Sequence, residues 1–317
     1  LPRIEIHGEE VNVRLGMIGL GRMGGNMTRR LRAASIDVVG FTRDEHTVDE
    51  LARDCGMIPA SSLEDVIDAL AAPRVVWLML PAGEVTHEHI VALGERLAPG
   101  DIVVDGANSH YRDSITHGAY LGERGVSFVD AGVSGGIWGL AEGYALMVGG
   151  PRDAVQAIEP VLKALAPAPD RGWLHCGPTG AGHFVKMVHN GIEYGMMQAY
   201  AEGFALLESR KDFELDLASI AELWRHGSVV RSWLLDLTTD VLREDARLDD
   251  VAPYVADSGE GRWTAIEAIE RGVPAPVIST ALMMRFASRG GIDYGAKLLA
   301  MMRNRFGGHA VRAEGSS

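Results

Sequence analysis

Lysine, histidine, asparagine and glutamate share one short run of this sequence, His183-Phe-Val-Lys-Met-Val-His-Asn-Gly-Ile-Glu-Tyr-Gly-Met-Met197. At helical pitch, with Lys186 at 0°, His189 falls at roughly −60°, Asn190 at roughly +40° and Glu193 at roughly −20°. The four share one face, and Val185, Val188 and Ile192 take the other. One reading is a surface helix with a solvated polar stripe. Further on, however, the stripe becomes Met197, Phe204 and Leu207, and a helix apolar on every side is normally buried. Unpaired buried charge is costly, so the polar groups then need partners or a wet pocket. In such a pocket a partly desolvated lysine has its pKa lowered towards that of a general base. A carboxyl two turns on, about 10 Å along the axis, can serve a different atom of the same extended molecule.

A second run, Leu15-Gly-Met-Ile-Gly-Leu-Gly-Arg-Met-Gly-Gly25, holds Gly19-x-Gly21-x-x-Gly24 between an apolar strand and an amphipathic helix. In that context the glycines allow a tight turn, backbone approach to a pyrophosphate and close helix–strand packing. Gly19, Leu20, Gly21, Arg22, Met23 and Gly24 are therefore candidate dinucleotide contacts. The next strand ends Gly40-Phe-Thr-Arg-Asp44. An NAD site usually puts an acid there for the ribose hydroxyls, and an NADP site puts a cation there for the 2′-phosphate. Thr42 and Arg43 suit a phosphate. NADP is the expected cofactor and NAD stays open, with Asp44 arguing for it. His87-x-His89 lacks a third ligand and reads as a solvated helix turn, so no metal is expected. The pairs Met283–Met284 and Met301–Met302 read as helical core filling, and Trp224 and Trp233 as packing residues.

The elements that must hold these groups divide the chain in two. Short apolar, β-branched runs (Val13–Ile18, Val38–Phe41, Val75–Leu80, Ile102–Asp105, Ser127–Asp130 and Tyr144–Val148) alternate with amphipathic segments. That is the pattern of a parallel sheet with crossover helices. After the Gly-rich turn His175-Cys-Gly-Pro-Thr-Gly-Ala-Gly182 only helical periodicity remains. The expected fold is a Rossmann-type, doubly wound α/β domain over residues 13–177, then an all-α domain over 178–317 for substrate and dimerisation. The 317 residues carry 43 acids and 30 bases, net −13. This argues against a nucleic-acid or polybasic membrane partner. No apolar run reaches the length of a membrane span, the opening Leu1–Asn12 has no signal-type apolar core, and two cysteines fit a reducing compartment. The expected location is cytoplasmic.

Several further runs occur in the order found in 6-phosphogluconate dehydrogenases. They are Leu80-Pro81-Ala82, Asp105-Gly-Ala-Asn-Ser109, Asp130-Ala-Gly-Val-Ser-Gly-Gly136 and Gly182–Tyr194, then Gly261-Arg-Trp-Thr264, Arg285 and Arg303-Asn-Arg-Phe-Gly-Gly-His309. The chain resembles the short form of that family from about Arg14 to His309. The K-x-x-H-N-x-x-E-Y combination and the terminal F-G-x-H discriminate; the glycine fingerprint alone does not. The resemblance implies oxidative decarboxylation of 6-phosphogluconate to ribulose 5-phosphate, with Lys186 as base, Glu193 as acid and Asn190 between them orienting the substrate. Asn108, Ser134, Gly135, Gly136, His189 and Tyr194 would line the substrate. Arg285 would hold its phosphate, and Arg303 and His309 would reach into a partner subunit of a homodimer or homotetramer. Leu80, Pro81, Ala82 and Asn108 join the cofactor set. Ser258 departs from the pattern, because longer members put a lysine there against the phosphate. Either Arg262 moves in, or the phosphate relies on Arg285 and Arg303. The protonated lysine can donate to the keto oxygen during loss of CO₂, so the chemistry needs no divalent metal. Two alternatives remain: a β-hydroxyacid dehydrogenase, such as one acting on 3-hydroxyisobutyrate, and a silent NADPH-binding regulator. Neither needs Glu193 as a carbon acid.

Overall fold

Near-continuous apolar runs such as Val38–Val39 and Val103–Val104 form strands because both faces of a parallel sheet are covered. The computed structural model describes residues 14–290 and 294–307. Contacts divide the chain into two compact units, Leu1–His189 and Asn190–Ser317.

The first unit holds strands β1 (Arg14–Ile18), β2 (Asp37–Phe41), β3 (Ile58–Pro59), β4 (Val75–Leu78), β5 (Ile102–Asp105), β6 (Ser127–Ser134), β7 (Ala145–Gly149) and β8 (Trp173–Gly177). Helices α1 (Arg22–Ala33), α2 (Glu45–Cys55), α3 (Leu63–Asp68), α4 (Glu84–Gly94), α5 (Tyr111–Gly122), α6 (Gly139–Glu142), α7 (Arg152–Ala157) and α8 (Glu159–Leu165) lie between them. The strands form one sheet in the order β3-β2-β1-β4-β5-β6-β7-β8. Adjacent residues serve opposite faces. Val38 and Val104 join a core with Met27 and Leu31 of α1, Leu51 of α2 and Leu162 of α8. Val39 and Val103 join another with Val66 of α3, Ile90 of α4 and Leu121 of α5. Helices thus cover both faces, as a doubly wound sheet requires.

Three details depart from expectation. β7 runs antiparallel to β6, pairing Asp130 with Gly149 and Ser134 with Ala145, so the sheet is mixed. The short link between these strands, built on α6, cannot make a parallel crossover. β3 and β8 went unread. The first is two residues long, and the second, Trp173-Leu-His-Cys-Gly177, ends inside the run taken as a Gly-rich turn.

A 29-residue helix, α9 (Ala181–Ser209), opens in the first unit and continues into the second. There α10 (Leu217–Arg225), α11 (Trp233–Glu244), α12 (Glu260–Glu270), α13 (Pro276–Ser288) and α14 (Tyr294–Gly307) follow. Asp216 and Ser232 accept from the first-turn amides of Ser219 and Leu235, starting α10 and α11. Phe204, Leu217, Ala221, Leu235 and Leu242 form one core, with Trp224 packed against it. Tyr194, Ala265, Ala281 and Leu282 form another. The burial expected around α9 holds only in part: Lys186, Met187 and Tyr194 are buried, whereas Ile192, Met197 and Leu206 are exposed. Met283, Met284, Met301 and Met302 are exposed as well, so they fill no core within this chain.

Candidate active site

The glycine turn lies between β1 and α1, where β2 and β4 flank β1 on opposite sides. That is the point at which strand order reverses, and ligands of open α/β sheets bind there, beyond the carboxyl ends of the strands. A Cβ on Gly19, whose φ is +91°, would sit 2.3 Å from the Met79 carbonyl oxygen. One on Gly24 would sit 2.0 Å from the Gly19 carbonyl oxygen. Over Gly21 the space is open. Gly21 also caps α1 without any side-chain bond, and no acid occupies the first turn. The first-turn amides are therefore available to an anion, so the residues fit a pyrophosphate. Leu20 is buried and Met23 half-buried, while Arg22 is exposed.

Thr42 and Arg43 follow β2, half-buried and exposed respectively. Asp44 is engaged at the start of α2. Its Oδ1 accepts from the His46 amide at 3.2 Å and its Oδ2 from the Thr47 hydroxyl at 2.6 Å, capping α2. The Thr47 hydrogen bond, then that of His46, outweighs desolvation and holds the Asp44 carboxyl below its usual value. Leu80, Pro81 and Ala82 follow β4, where the Thr86 hydroxyl donates to the Pro81 carbonyl at 2.9 Å.

Asn108 adopts φ +54° after β5 and is bound to the neighbouring strand at both ends of its amide. Its Nδ2 donates to the Val133 carbonyl at 3.1 Å, and its Oδ1 accepts the Val133 amide at 2.8 Å. The bonds pin the end of β6, where Ser134, Gly135 (φ +132°) and Gly136 (φ +51°) turn into a short 3₁₀ segment, Gly136–Trp138. Lys186, only 5% exposed, backs onto this strand. A Cβ on Gly132 would fall 2.3 Å from the lysine Cβ. The first unit thus gathers Asn108, the Ser134–Gly136 turn and Lys186 around β6; His189 is half-buried.

In the second unit Tyr194 is the hub. Its hydroxyl lies 3.0 Å from Ser258 Oγ and donates to Asp257 Oδ1 at 3.3 Å. The Arg285 guanidinium carbon stands 3.4 Å from the centre of its ring, and Arg285 Nη1 donates to the Ala256 carbonyl at 3.0 Å. Arg262 pairs with Asp257, whose side chain is fully buried, and Arg289 approaches the same oxygen at 3.7 Å. Arg262 is therefore held by a carboxylate beside Ser258. Asn190 and Glu193 are half-buried on α9. Arg303 is exposed on α14, and no contact ties it to this cluster among the described residues. His309 lies outside them.

Sequence reading passed over Asp130, Asp257 and His117. Asp130 opens a quoted run and Asp257 precedes Ser258, and only their burial shows their use. His117, buried on α5, puts Nε2 3.0 Å from Nδ1 of His87. Desolvation leads the causes that lower its pKa. His89 Nδ1 lies 2.8 Å from the Val85 carbonyl oxygen of its own helix. Among the described residues no cluster of three His, Cys, Asp or Glu side chains could hold a metal ion.

A glycine turn that fits a pyrophosphate at the switch point of a doubly wound sheet, with a buried lysine against β6, is the arrangement of a dinucleotide-dependent oxidoreductase. The family model for the NAD binding domain of 6-phosphogluconate dehydrogenase matches residues 14–177, and that for the 6-phosphogluconate dehydrogenase C-terminal domain matches residues 182–291. The chain is similar to the NAD(+)-dependent, decarboxylating 6-phosphogluconate dehydrogenase of Haloferax volcanii. The two are 42% identical over 300 residues, 94% of this chain and 98% of that one. Plasmodium falciparum 6-phosphogluconate dehydrogenase, solved apo, with NADP+ and with 6-phosphogluconate, superposes with a TM-score of 0.80 at 27% identity, over 96% of this chain and 67% of that chain. Mycobacterium tuberculosis 3-hydroxyisobutyrate dehydrogenase gives 0.69 at 25% identity, over 85% and 91%. This chain belongs to the 6-phosphogluconate dehydrogenase family.

Proposed function

We propose that the protein oxidises and decarboxylates 6-phosphogluconate, giving ribulose 5-phosphate and CO₂. The observation that carries the reading is Lys186, buried at 5% exposure on the helix that also bears Asn190 and Glu193. Burial is the setting in which a lysine amine can act as a base. Lys186 takes the proton of the C3 hydroxyl. The bound nicotinamide supplies the hydride acceptor. The 3-keto acid then breaks its C1–C2 bond, releasing CO₂, while protonated Lys186 donates to the keto oxygen. Glu193 returns a proton to the carbon that becomes C1 of the pentulose. Asn190 orients the substrate between them, and His189, Asn108 and the Ser134–Gly136 turn line it.

Tyr194, Ser258 and Arg285 hold the phosphate in this reading, with Arg262 and Arg303 adding charge and His309 completing the site from a partner subunit. This end separates the reading from a 3-hydroxyisobutyrate-type enzyme, which has no phosphate to bind. NADP is favoured because Asp44 is engaged in capping α2 and leaves Arg43 as the group for a 2′-phosphate. The names of relatives pull both ways, NAD(+) in Haloferax and NADP+ in Plasmodium. Exposed Ile192, Met197, Leu206, Met283 and Met302 support a homodimer or homotetramer, since that much apolar surface marks an interaction face. Two free cysteines, Cys55 and Cys176, fit a reducing, cytoplasmic setting. No helix among the described residues is long and apolar enough to cross a membrane.

One assay tests the whole reading. 6-Phosphogluconate is supplied with NADP or NAD, and reduced dinucleotide and CO₂ are both followed. Equal yields of the two products are expected. Reduction without CO₂ would favour the hydroxyacid dehydrogenase, and binding without turnover would favour the silent regulator.

A further inference from the structure

The first turn of α9 has an unusual foundation. Four amides at a helix start lack partners within the helix, and a buried start must find them elsewhere. Asp130 of β6, with no solvent exposure, meets two of them. Its Oδ1 accepts the Gly180 amide at 2.6 Å and its Oδ2 accepts the His183 amide at 2.8 Å. Three glycines bring helix and sheet into close approach. A Cβ on Gly149 would fall 2.6 Å from Asp130 Oδ1 and 2.7 Å from the Gly182 nitrogen. One on Gly182 would lie 2.4 Å from both the Asp130 and Met147 carbonyl oxygens. The third is Gly132, against the Cβ of Lys186. From α5, Ser114 Oγ meets His183 Nδ1 at 2.7 Å. Helix height and rotation are thereby fixed within one turn of Lys186.

We propose that Asp130 is a positioning residue for Lys186, setting the place of its amine through the first turn of α9 with Gly132 as the floor. The inference rests on Lys186 being the base. A carboxylate suits the task because its two oxygens serve two donors at once. An asparagine has one oxygen, and its NH₂ would face a buried N–H, freeing the turn to shift. Displacement of a reacting group by about 1 Å costs about 10²-fold in rate, so a small loosening here is amplified at the amine.

The test uses the full-length protein with 6-phosphogluconate and dinucleotide. Asp130→Asn and Gly132→Ala are compared with wild type and with Lys186→Met. Rates are normalised to dinucleotide-binding sites, so that unfolded protein does not count. Both variants should bind dinucleotide as wild type does and lose about 10²-fold in kcat with little change in KM. The acidic limb of their kcat/KM–pH profile, which reports the base, should move. A purely structural defect would scale the profile at every pH and leave the limb in place. Gly132→Ala displaces the lysine with Asp130 intact, so it carries the test if Asp130→Asn fails to fold. Wild-type kcat and an unmoved limb in a folded variant, beside an inactive Lys186→Met, would overturn the positioning role alone. Turnover by Lys186→Met would overturn the base assignment, and this inference with it.

Discussion

Asp257→Asn removes the charge at the centre of the Tyr194 cluster. The carboxylate is fully buried and accepts from the Gly259 amide at 3.0 Å, the Tyr194 hydroxyl at 3.3 Å and Arg262 Nε at 3.0 Å, with a second Arg262 nitrogen on Oδ2. Losing one partner of a buried ion pair costs about 3–5 kcal/mol. Arg262, however, is 48% exposed and regains water. The cost should therefore approach that of hydrogen bonds to a charged group, about 1.5–3 kcal/mol at pH 7. Burial pushes the Asp257 carboxyl up, but the Gly259 amide and Arg262 outweigh it and hold the group below its usual value. A depressed carboxyl stabilises the fold above its unfolded pKa, near 3.9, and loses that contribution as pH falls through the folded value. Urea melts of wild type and variant from pH 7 to pH 3 should show a full gap down to about pH 4, closing below it. A gap that persists or widens at pH 3 would refute the argument. The variant should also raise KM for a phosphorylated substrate while dinucleotide binding holds, since Tyr194 and Arg262 both lose their anchor.

Arg43→Ala should raise KM for NADP far more than for NAD, by the equivalent of about 1.5–3 kcal/mol; a wild type that already prefers NAD contradicts the Arg43 reading. Glu193→Gln should block release of ribulose 5-phosphate more than cofactor binding, and stereospecific solvent deuterium at C1, incorporated at the wild-type rate, would remove Glu193 as the acid. Tyr144 is fully buried, its hydroxyl has no partner among the described residues, and burial pushes its pKa up to about 12. Tyr144→Phe should therefore leave stability within about 1 kcal/mol of wild type or raise it, as thermal melts would show; a larger loss means that the hydroxyl is bonded. Mixing Arg303→Ala with Lys186→Met chains should restore part of the activity in hybrids, and failure in demonstrably mixed dimers means that each tail serves its own subunit.

The sheet was legible because its strands are apolar on both faces, as strands of a sheet covered on both sides are. The glycine turn was legible because strand, turn and helix follow one another within about twenty residues. What escaped has a common cause. β7 reads like its neighbours, and nothing in a strand's own residues states which way its partner runs. The resemblance puts Asn108 at the substrate and cofactor, and says nothing of what else its amide does. That amide also bridges to Val133, through hydrogen bonds that carry no sequence signal. The methionine pairs on α13 and α14 look like core filling because periodicity reports an apolar face without saying what covers it.

The polar run on α9 shows how far type and spacing reach. Sequence reading placed Lys186 on the polar face and expected apolar neighbours to seal the helix. In the structure the sheet grips the start of the face bearing Lys186 and His183, while Ile192 on the other face and Met197 further along the same face are exposed. A lysine can lie against a sheet only where no strand side chain competes for the space, and Gly132 supplies that gap. Lys186, Asn190, Glu193 and Tyr194 are then carried on one unbroken helix across the boundary between the two units. Helical pitch alone sets about 10 Å between Lys186 and Glu193, whatever the units do. In the proposed reaction, a base at Lys186 and an acid at Glu193 would keep that axial separation.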